Sequence, residues 1–577
     1  MEKCARRVVF RLPLSMVLSA VVWLLVPPQR AMAADTDEGP WPADVKGFVP
    51  PQPGEHPRLL FRKGDLPELK RRAATPEGQA IIKRLRVLLN GSDGESMPKE
   101  YNTGGAKDLP LGGYTMSHAA GFGLLYQLTG EKKYADLGRK CFEKAFEGVR
   151  DRDNRYSFRK PDGALRCGPS LGAYAIGYDL CCDGWDADFR RRVVDEFMKY
   201  DEGLHCSLAA CAKGLRQHPG SNHWGAEIGG PAMLLLAIKG DPGADDKLID
   251  TLLAENAKCF IRNLTQGFGD HGWFPEGDGP GTISSDTSFV PAIQAWRVAG
   301  GKDFVAPRPN AQWMTMKWVM QTVPVPVAVG QKPPFPIRGG YPHNVWARDG
   351  WSGSGAFCQG FGAITDAQKP ALLWLYNHTF KAGDDKAGCP CDTVSPYPHR
   401  AVLALVNWPF GMAEENPAKV LPKAVEDKRW AFYAWRNKWE GPDDIVITAL
   451  LKTSKGNGSV PGGEIMVIGL GKKMTFPVKV TGDPKFFAAT ATGGVVSTAA
   501  GSFGVDFSGA SGADALLVLA GPVKGGKGLQ TIEAGKNTFT IVTLQKDAAP
   551  QARADGDNLV VGGQTVSYDG QKITFAK

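Results

Sequence analysis

The sequence predicts a multidomain chain of α and β parts, an N-terminal array of helix pairs followed by a separate antiparallel β domain. Three observations predict it. Apolar residues recur at helical spacing over the first few hundred residues. After Glu426 the texture changes to short runs rich in Val, Ile, Thr and Phe, bounded by Gly, Asp or Asn. Helical and strand patterns are grouped rather than alternating, which argues against a βαβ sheet. The 577 residues are 43% hydrophobic and 22% charged, a globular composition with length for several domains, and the 71 Gly and 42 Pro point to many turns and long connections.

The chain opens with a targeting pattern over residues 1–33. Basic Arg6 and Arg7 precede an apolar stretch from Leu12 to Val26, and Ala31-Met32-Ala33 has the small-x-small form that a signal peptidase accepts. The expectation is an exported protein, periplasmic or secreted, whose mature chain starts at Ala34. The apolar stretch is short for a membrane span, Pro13 interrupts it, and no later segment approaches twenty uninterrupted apolar residues, so no membrane association is expected after signal removal. The formal charge of +8 includes a net +4 from this leader, and no Lys/Arg-rich run follows, which excludes a nucleic-acid footprint.

Residues 34–55 form a polar, Pro-rich lead-in containing Pro50-Pro51-Gln52-Pro53, suited to extended chain. Residues 56–425 follow as the helical domain. Helical periodicity is expected at Leu66 to Ala73, Ile81 to Leu89, Ala119 to Leu128, Tyr134 to Phe146, Phe189 to Tyr200, Pro231 to Ile238 and Leu248 to Phe260, with Gly- and Pro-containing loops between. Helix pairs in this number suit an α/α toroid or another helical array. Residues 426–577 form the β domain, with strands at Asp444 to Leu451, Glu464 to Leu470, Phe486 to Thr490, Ala515 to Leu519, Thr538 to Leu544 and Gln564 to Tyr568. Ten Cys remain after the leader; disulfides are open and unassigned, and Cys181-Cys182 and Cys389-Pro390-Cys391 lack zinc or redox spacing.

Four segments carry chemistry. The first is Arg216 through Trp224, a polar loop running into an apolar helix. There Asn222 can donate hydrogen bonds to a carboxylate, His223 can exchange a proton near neutral pH, and Trp224 can offer a flat face to a sugar; the bland alternative is a helix cap and a core ring. The second, Gly267 through Gly279, crowds His271, Trp273, Phe274 and the carboxylates Asp270, Glu276 and Asp278 onto a Gly-rich loop, or is a solvated surface turn. The third holds Tyr341, His343 and Arg348, and the fourth Tyr397 and His399. Both lie near the domain junction, where clefts form, and each taken alone reads more readily as structural. No spacing among the nine His suits a metal site, no Gly-x-Ser-x-Gly elbow stands in strand-to-helix context, and no phosphate or dinucleotide loop is present, so no metal or cofactor is expected.

Several of these stretches together resemble the heparinase II/III-like family of polysaccharide lyases, which includes oligoalginate lyases. His56-Pro57-Arg58-Leu59-Leu60-Phe61 with Asp65-Leu66 is similar to the family's opening segment, Asn222-His223 to its Asn/His pair, and Gly272-Trp273-Phe274-Pro275-Glu276-Gly277 to its Gly-aromatic-x-x-Glu-Gly loop. Trp435-Arg436-Asn437-Lys438-Trp439 with Asp443-Asp444 resembles the first strand of its β domain.

The resemblance implies an incomplete α/α toroid packed on an antiparallel β-sandwich, an acidic polysaccharide or oligosaccharide as substrate, and β-elimination. Asn222 and His223 would neutralise the uronate carboxylate, a Tyr/His pair drawn from His271, Tyr397 and His399 would move protons, and Trp224, Trp273, Glu276, Tyr341, His343 and Arg348 would bind sugar. Two departures stand out. The Tyr that commonly follows the family's Glu-Gly loop is missing from Gly277 to Asp286, and Gly456-Asn457-Gly458-Ser459 replaces a His-containing loop of the β domain. A glycoside hydrolase using two of Asp270, Glu276, Asp278 and Asp286, or a noncatalytic carbohydrate-binding protein, are the competing expectations.

Overall fold

A computed structural model describes residues 41–103, 109–203, 205–349, 357–478, 480–521 and 529–576. The leader and the start of the lead-in lie outside the described residues. No described helix is long and apolar enough to cross a membrane.

The helical region is built around six inner helices that neighbour one another in ring order: His118–Thr129, Ala164–Cys181, Trp224–Ile238, Phe289–Val298, Phe357–Ala363 and Pro398–Asn407, the last returning to the first. Amphipathic helices such as Lys132–Phe146, Ala187–Met198 and Asp246–Arg262 stand outside, burying one stripe and exposing charge on the other. The periodicity found these outer helices well; Leu66–Ala73 coincides with its expected span. It missed Ala164–Cys181 because nearly every residue of that helix is buried, which erases the polar face that periodicity detects. Glycine makes the inner packing feasible. A Cβ on Gly168 would lie 2.0 Å from the Ala226 carbonyl oxygen, and one on Gly230 would lie 1.5 Å from that of Gly168, so the Ala164 and Trp224 helices touch backbone to backbone.

Apart from a short antiparallel pairing of Ala43–Asp44 with Lys302–Asp303, the described strands begin at Ala424. Five of them, Ala424–Asp427, Phe432–Arg436, Val446–Leu450, Glu464–Gly469 and Lys472–Pro477, form one antiparallel sheet in that spatial order. A six-stranded antiparallel sheet follows, with Ala515–Ala520 paired between Gly501–Asp506 and Asn537–Leu544, and a four-stranded meander ends the chain. Alternation along the strands explains the stacking. Leu517 and Leu519 join a core with Tyr433, Trp435 and Ile447 of the first sheet, while Leu516 and Val518 point the other way against Leu559, Val561 and Val566 of the third. The sandwich therefore carries a third layer.

The first sheet also adheres to the helices. Phe432, between inward-facing neighbours, stacks on Trp273 with ring centroids 4.8 Å apart. Arg436 donates to the carbonyl of Thr322 at 2.7 Å and pairs with Asp444 at 2.6 Å, and Arg338 donates to the Thr448 carbonyl at 3.0 Å. His56 of the opening segment is clamped between Asp179 (2.8 Å) and Asp241 (3.0 Å), which hold its pKa well above the ordinary value despite burial. All ten cysteines after the leader are buried, and none forms a disulfide.

Candidate active site

Three loops meet where the helical region faces the β domain. The 214–223 loop leads into the Trp224 helix, the 268–277 loop leads into Asp278–Asp286, and a short hairpin, Ser454–Lys455 with Ser459–Val460, reaches over from the β domain. Glu276 clasps all three. Its buried carboxylate accepts the Asn222 backbone N–H and the Gly458 backbone N–H, each at 2.9 Å. Asn457 Nδ2 donates to Ser221 Oγ at 2.8 Å, and Ser454 Oγ to the Pro275 carbonyl at 2.8 Å. Gly456 is required at the crossing, since its Cβ would lie 2.0 Å from the Gly220 carbonyl oxygen.

Asn222 and His223 sit at the rim of this clasp, immediately before the Trp224 helix, and both are half-buried. Their backbones are engaged, Asn222 with Glu276 and His223 with Ser221 Oγ. Their side chains are not: the Asn222 amide and both His223 ring nitrogens have no hydrogen-bond partner among the described residues. Burial, and then the charges of Arg166 and Arg216, hold the His223 pKa below the usual histidine value, so the imidazole is neutral and able to accept a proton at neutral pH. One turn further along, Glu227 is fully buried. Oε1 accepts the Arg216 backbone N–H at 3.3 Å, Oε2 has no partner, and burial raises the pKa to about 7.

The remaining expected site residues have other partners. Trp224 is 1% exposed, donates from Nε1 to the Cys259 carbonyl at 3.4 Å, and presents no open face for a sugar. Trp273, wholly buried against Phe432 with Lys317 over its ring, is domain cement instead of a subsite wall. Arg348 is buried between Asp384 (2.7 Å) and Asp392 (2.8 Å), which occupy its guanidinium. Glu276 is tied to backbone amides, and Asp278 pairs with Lys317 and accepts the Arg338 N–H at 2.7 Å, so neither carboxylate is placed as a hydrolase acid or base.

The expected proton-moving partners are likewise engaged elsewhere. His271 donates from Nδ1 to the Glu426 carbonyl at 2.6 Å and packs edge-on against Trp313, anchoring its loop to the first sheet. The Tyr397 hydroxyl donates to buried Asp151 at 3.2 Å; burial raises the Asp151 pKa to about 7 and pushes the Tyr397 pKa well above its ordinary value, while His399, 6.0 Å from the Tyr397 ring, is kept neutral by burial. Nothing in the described contacts joins these three to His223. Tyr341 and His343 are exposed, their rings 6.0 Å apart edge to face, on a turn beside the start of the Asp278 helix.

Sequence reasoning missed two groups. Glu227 is readable as the fourth residue after His223, hence on the same helical face. Arg166, half-buried in the first turn of the Ala164 helix, is a lone charge opening an apolar run. Its side chain makes no hydrogen bond or ion pair among the described residues. A roomy groove lined by Pro50, Pro51, Pro53, Lys239, Leu253 and Trp296 contains none of these residues.

No protein-family profile matches the chain, and no curated protein matches it. Among solved structures, a heparan sulfate lyase, HepC from Pedobacter heparinus, is similar over 87% of this chain and 90% of its own at 10% identity and a TM-score of 0.42. A heparinase III gene product with methylated lysines is similar over 90% of this chain and 93% of its own at 13% identity and a TM-score of 0.40.

Proposed function

We propose that the protein is a polysaccharide lyase that cleaves a uronic-acid-containing polysaccharide or oligosaccharide by β-elimination, outside the cytoplasm after removal of residues 1–33. The observation that carries the reading is the rim itself: adjacent Asn222 and His223 present an amide and a neutral imidazole with no protein partner among the described residues, held by loops from both halves of the molecule.

In this reading the Asn222 amide hydrogen-bonds the uronate carboxylate and favours the charge that develops on it as the C5 proton becomes acidic. His223 Nε2 or Nδ1 takes that proton, the C4–O bond breaks, and the electron pair left at C5 forms the C4=C5 double bond. The leaving oxygen at C4 takes a proton from the same imidazole, now protonated, so that one side chain serves as base and then acid and the missing family Tyr is not needed.

The test is incubation with alginate, heparin, heparan sulfate, chondroitin, hyaluronan and glucuronan, following ultraviolet absorbance of unsaturated uronate together with reducing ends. The reading expects both to rise on at least one polymer. Reducing ends without absorbance mean hydrolysis and overturn it.

A further inference from the structure

Arg166 differs from most of the buried and half-buried arginines described, sharing with Arg429 the lack of any hydrogen-bond or ion-pair partner, and unlike Arg429 it has no aromatic ring beneath it. Arg58 pairs with Asp241, Arg338 and Arg436 reach carbonyl groups across the domain junction, and Arg348 pairs with two aspartates. Arg166 pairs with nothing among the described residues, and its Nε is shielded from water with no acceptor in reach. Leaving a guanidinium partly desolvated and unpaired costs free energy, and its location adds to that cost. It lies in the first turn of the Ala164–Cys181 helix, with its backbone N–H bonded to the Gly163 carbonyl at 3.0 Å, and a cation at that end opposes the helix dipole.

The packing fixes where this charge sits. Two residues later, Gly168 lies directly on the backbone of Ala226 and Glu227, which brings the first turns of the Ala164 and Trp224 helices together. Arg216 approaches the same place, its Nη1 3.9 Å from a Cβ built on Gly163. His223 borders this cationic spot, Arg166 and Arg216 both acting electrostatically on its ring, and Asn222 immediately precedes it in the chain.

We propose that Arg166 is the seat for the carboxylate of the substrate's uronate residue, a planar oxyanion that its fork can hold through two parallel hydrogen bonds while Arg216 adds charge from the side. The assignment rests on the lyase reading for its sugar, but not for its charge: an acidic glycan is recognised here whether or not it is cut. A uronate carboxylate fits better than a neutral hydroxyl because the guanidinium is donor-only and always charged. It fits better than a protein carboxylate because no described one reaches the group.

The experiment is calorimetric titration of His223→Ala protein, in which turnover does not consume the polymer, compared with His223→Ala/Arg166→Gln. The probes are alginate, which carries carboxylates and no sulfate, dextran sulfate and neutral dextran. The expected result is that alginate binds and that R166Q weakens it by about tenfold or more, the worth of one charge-assisted fork. R166K is expected to recover part of the loss by restoring charge without the fork, and the difference to shrink at high salt. Because Arg166 has no described protein partner, R166Q alone should leave the unfolding midpoint unchanged or slightly raised. Equal alginate affinity with and without Arg166, alginate no tighter than dextran, or a loss confined to dextran sulfate would each overturn the seat. A lower unfolding midpoint would mark the side chain as structural and also overturn it. Binding that depends on Arg166 in a wild-type protein that cuts nothing would leave the seat standing and remove the lyase reading.

Discussion

At the scale of single residues, His223 is the group on which the proposed chemistry turns, and its protonation sets the acid side of the pH profile. A base must be neutral, and burial together with Arg166 and Arg216 places its pKa below the ordinary histidine value, so activity should persist to lower pH than an unperturbed histidine permits. Removing one of those cations raises the pKa. The acid limb of kcat/KM in Arg166→Gln is therefore expected to move to higher pH, measured on residual activity. His223→Ala should lower kcat by at least about a hundredfold, the usual worth of a positioned acid–base group, while Asn222→Ala should act on kcat with little change in KM. A KM effect without a kcat effect would place Asn222 in substrate binding alone.

Elements explain why those side chains stand where they do. Glu276 holds the Asn222 loop and the β-domain hairpin through one backbone N–H on each, so Glu276→Ala leaves two partly buried donors unsatisfied. At about 1–3 kcal/mol for each orphaned group, the expected result is a lower unfolding midpoint and looser placement of Asn222. Glu276→Gln keeps one acceptor and should fall between wild type and alanine, in contrast to a catalytic acid, for which Gln and Ala would be equally inactive.

The same elements show what was readable in advance. Outer helices such as Lys132–Phe146 declare themselves because one face meets water, and strands such as Ala515–Ala520 do so through β-branched and leucine runs between turns. The inner Ala164–Cys181 helix is buried all round, so neither its existence nor the placement of Arg166 in its first turn follows from periodicity. Trp224 and Trp273 look alike as sugar-stacking candidates in sequence; only packing reveals that one fills the helical core and the other cements the two halves.

Over the whole molecule, buried ionisable groups give stability a defined pH dependence. Asp151, Glu227 and Asp427 have pKa values raised to about 7, chiefly by burial, so the folded state holds their protons more tightly than the unfolded chain, and the stability this contributes is lost as pH rises from about 4 to about 7. His118 has its pKa lowered to about 4 by burial, and its contribution is lost as pH falls from 6.5 toward 4. His399, also lowered by burial, acts in the same direction. Below pH 6.5 the carboxyl and histidine contributions oppose one another, whereas above it the carboxyl loss runs on to about pH 7 and that of His56, whose pKa is raised, sets in, so the thermal midpoint should fall from pH 6.5 upward, which scanning calorimetry across pH checks. A midpoint that climbs steadily from pH 6 to pH 9 would mean that these carboxyls are not held protonated.

The central claim is that the glycosidic bond breaks by elimination at the Asn222–His223 rim, and the mass of the products tests it most directly. Digestion of a uronate oligosaccharide of defined length is expected to give one fragment lighter by a water than the hydrolytic fragment, with an unsaturated non-reducing end, and to give no such fragment with His223→Ala. Fragments that have all gained water, or an unsaturated fragment formed as fast by the His223→Ala protein, would contradict the account.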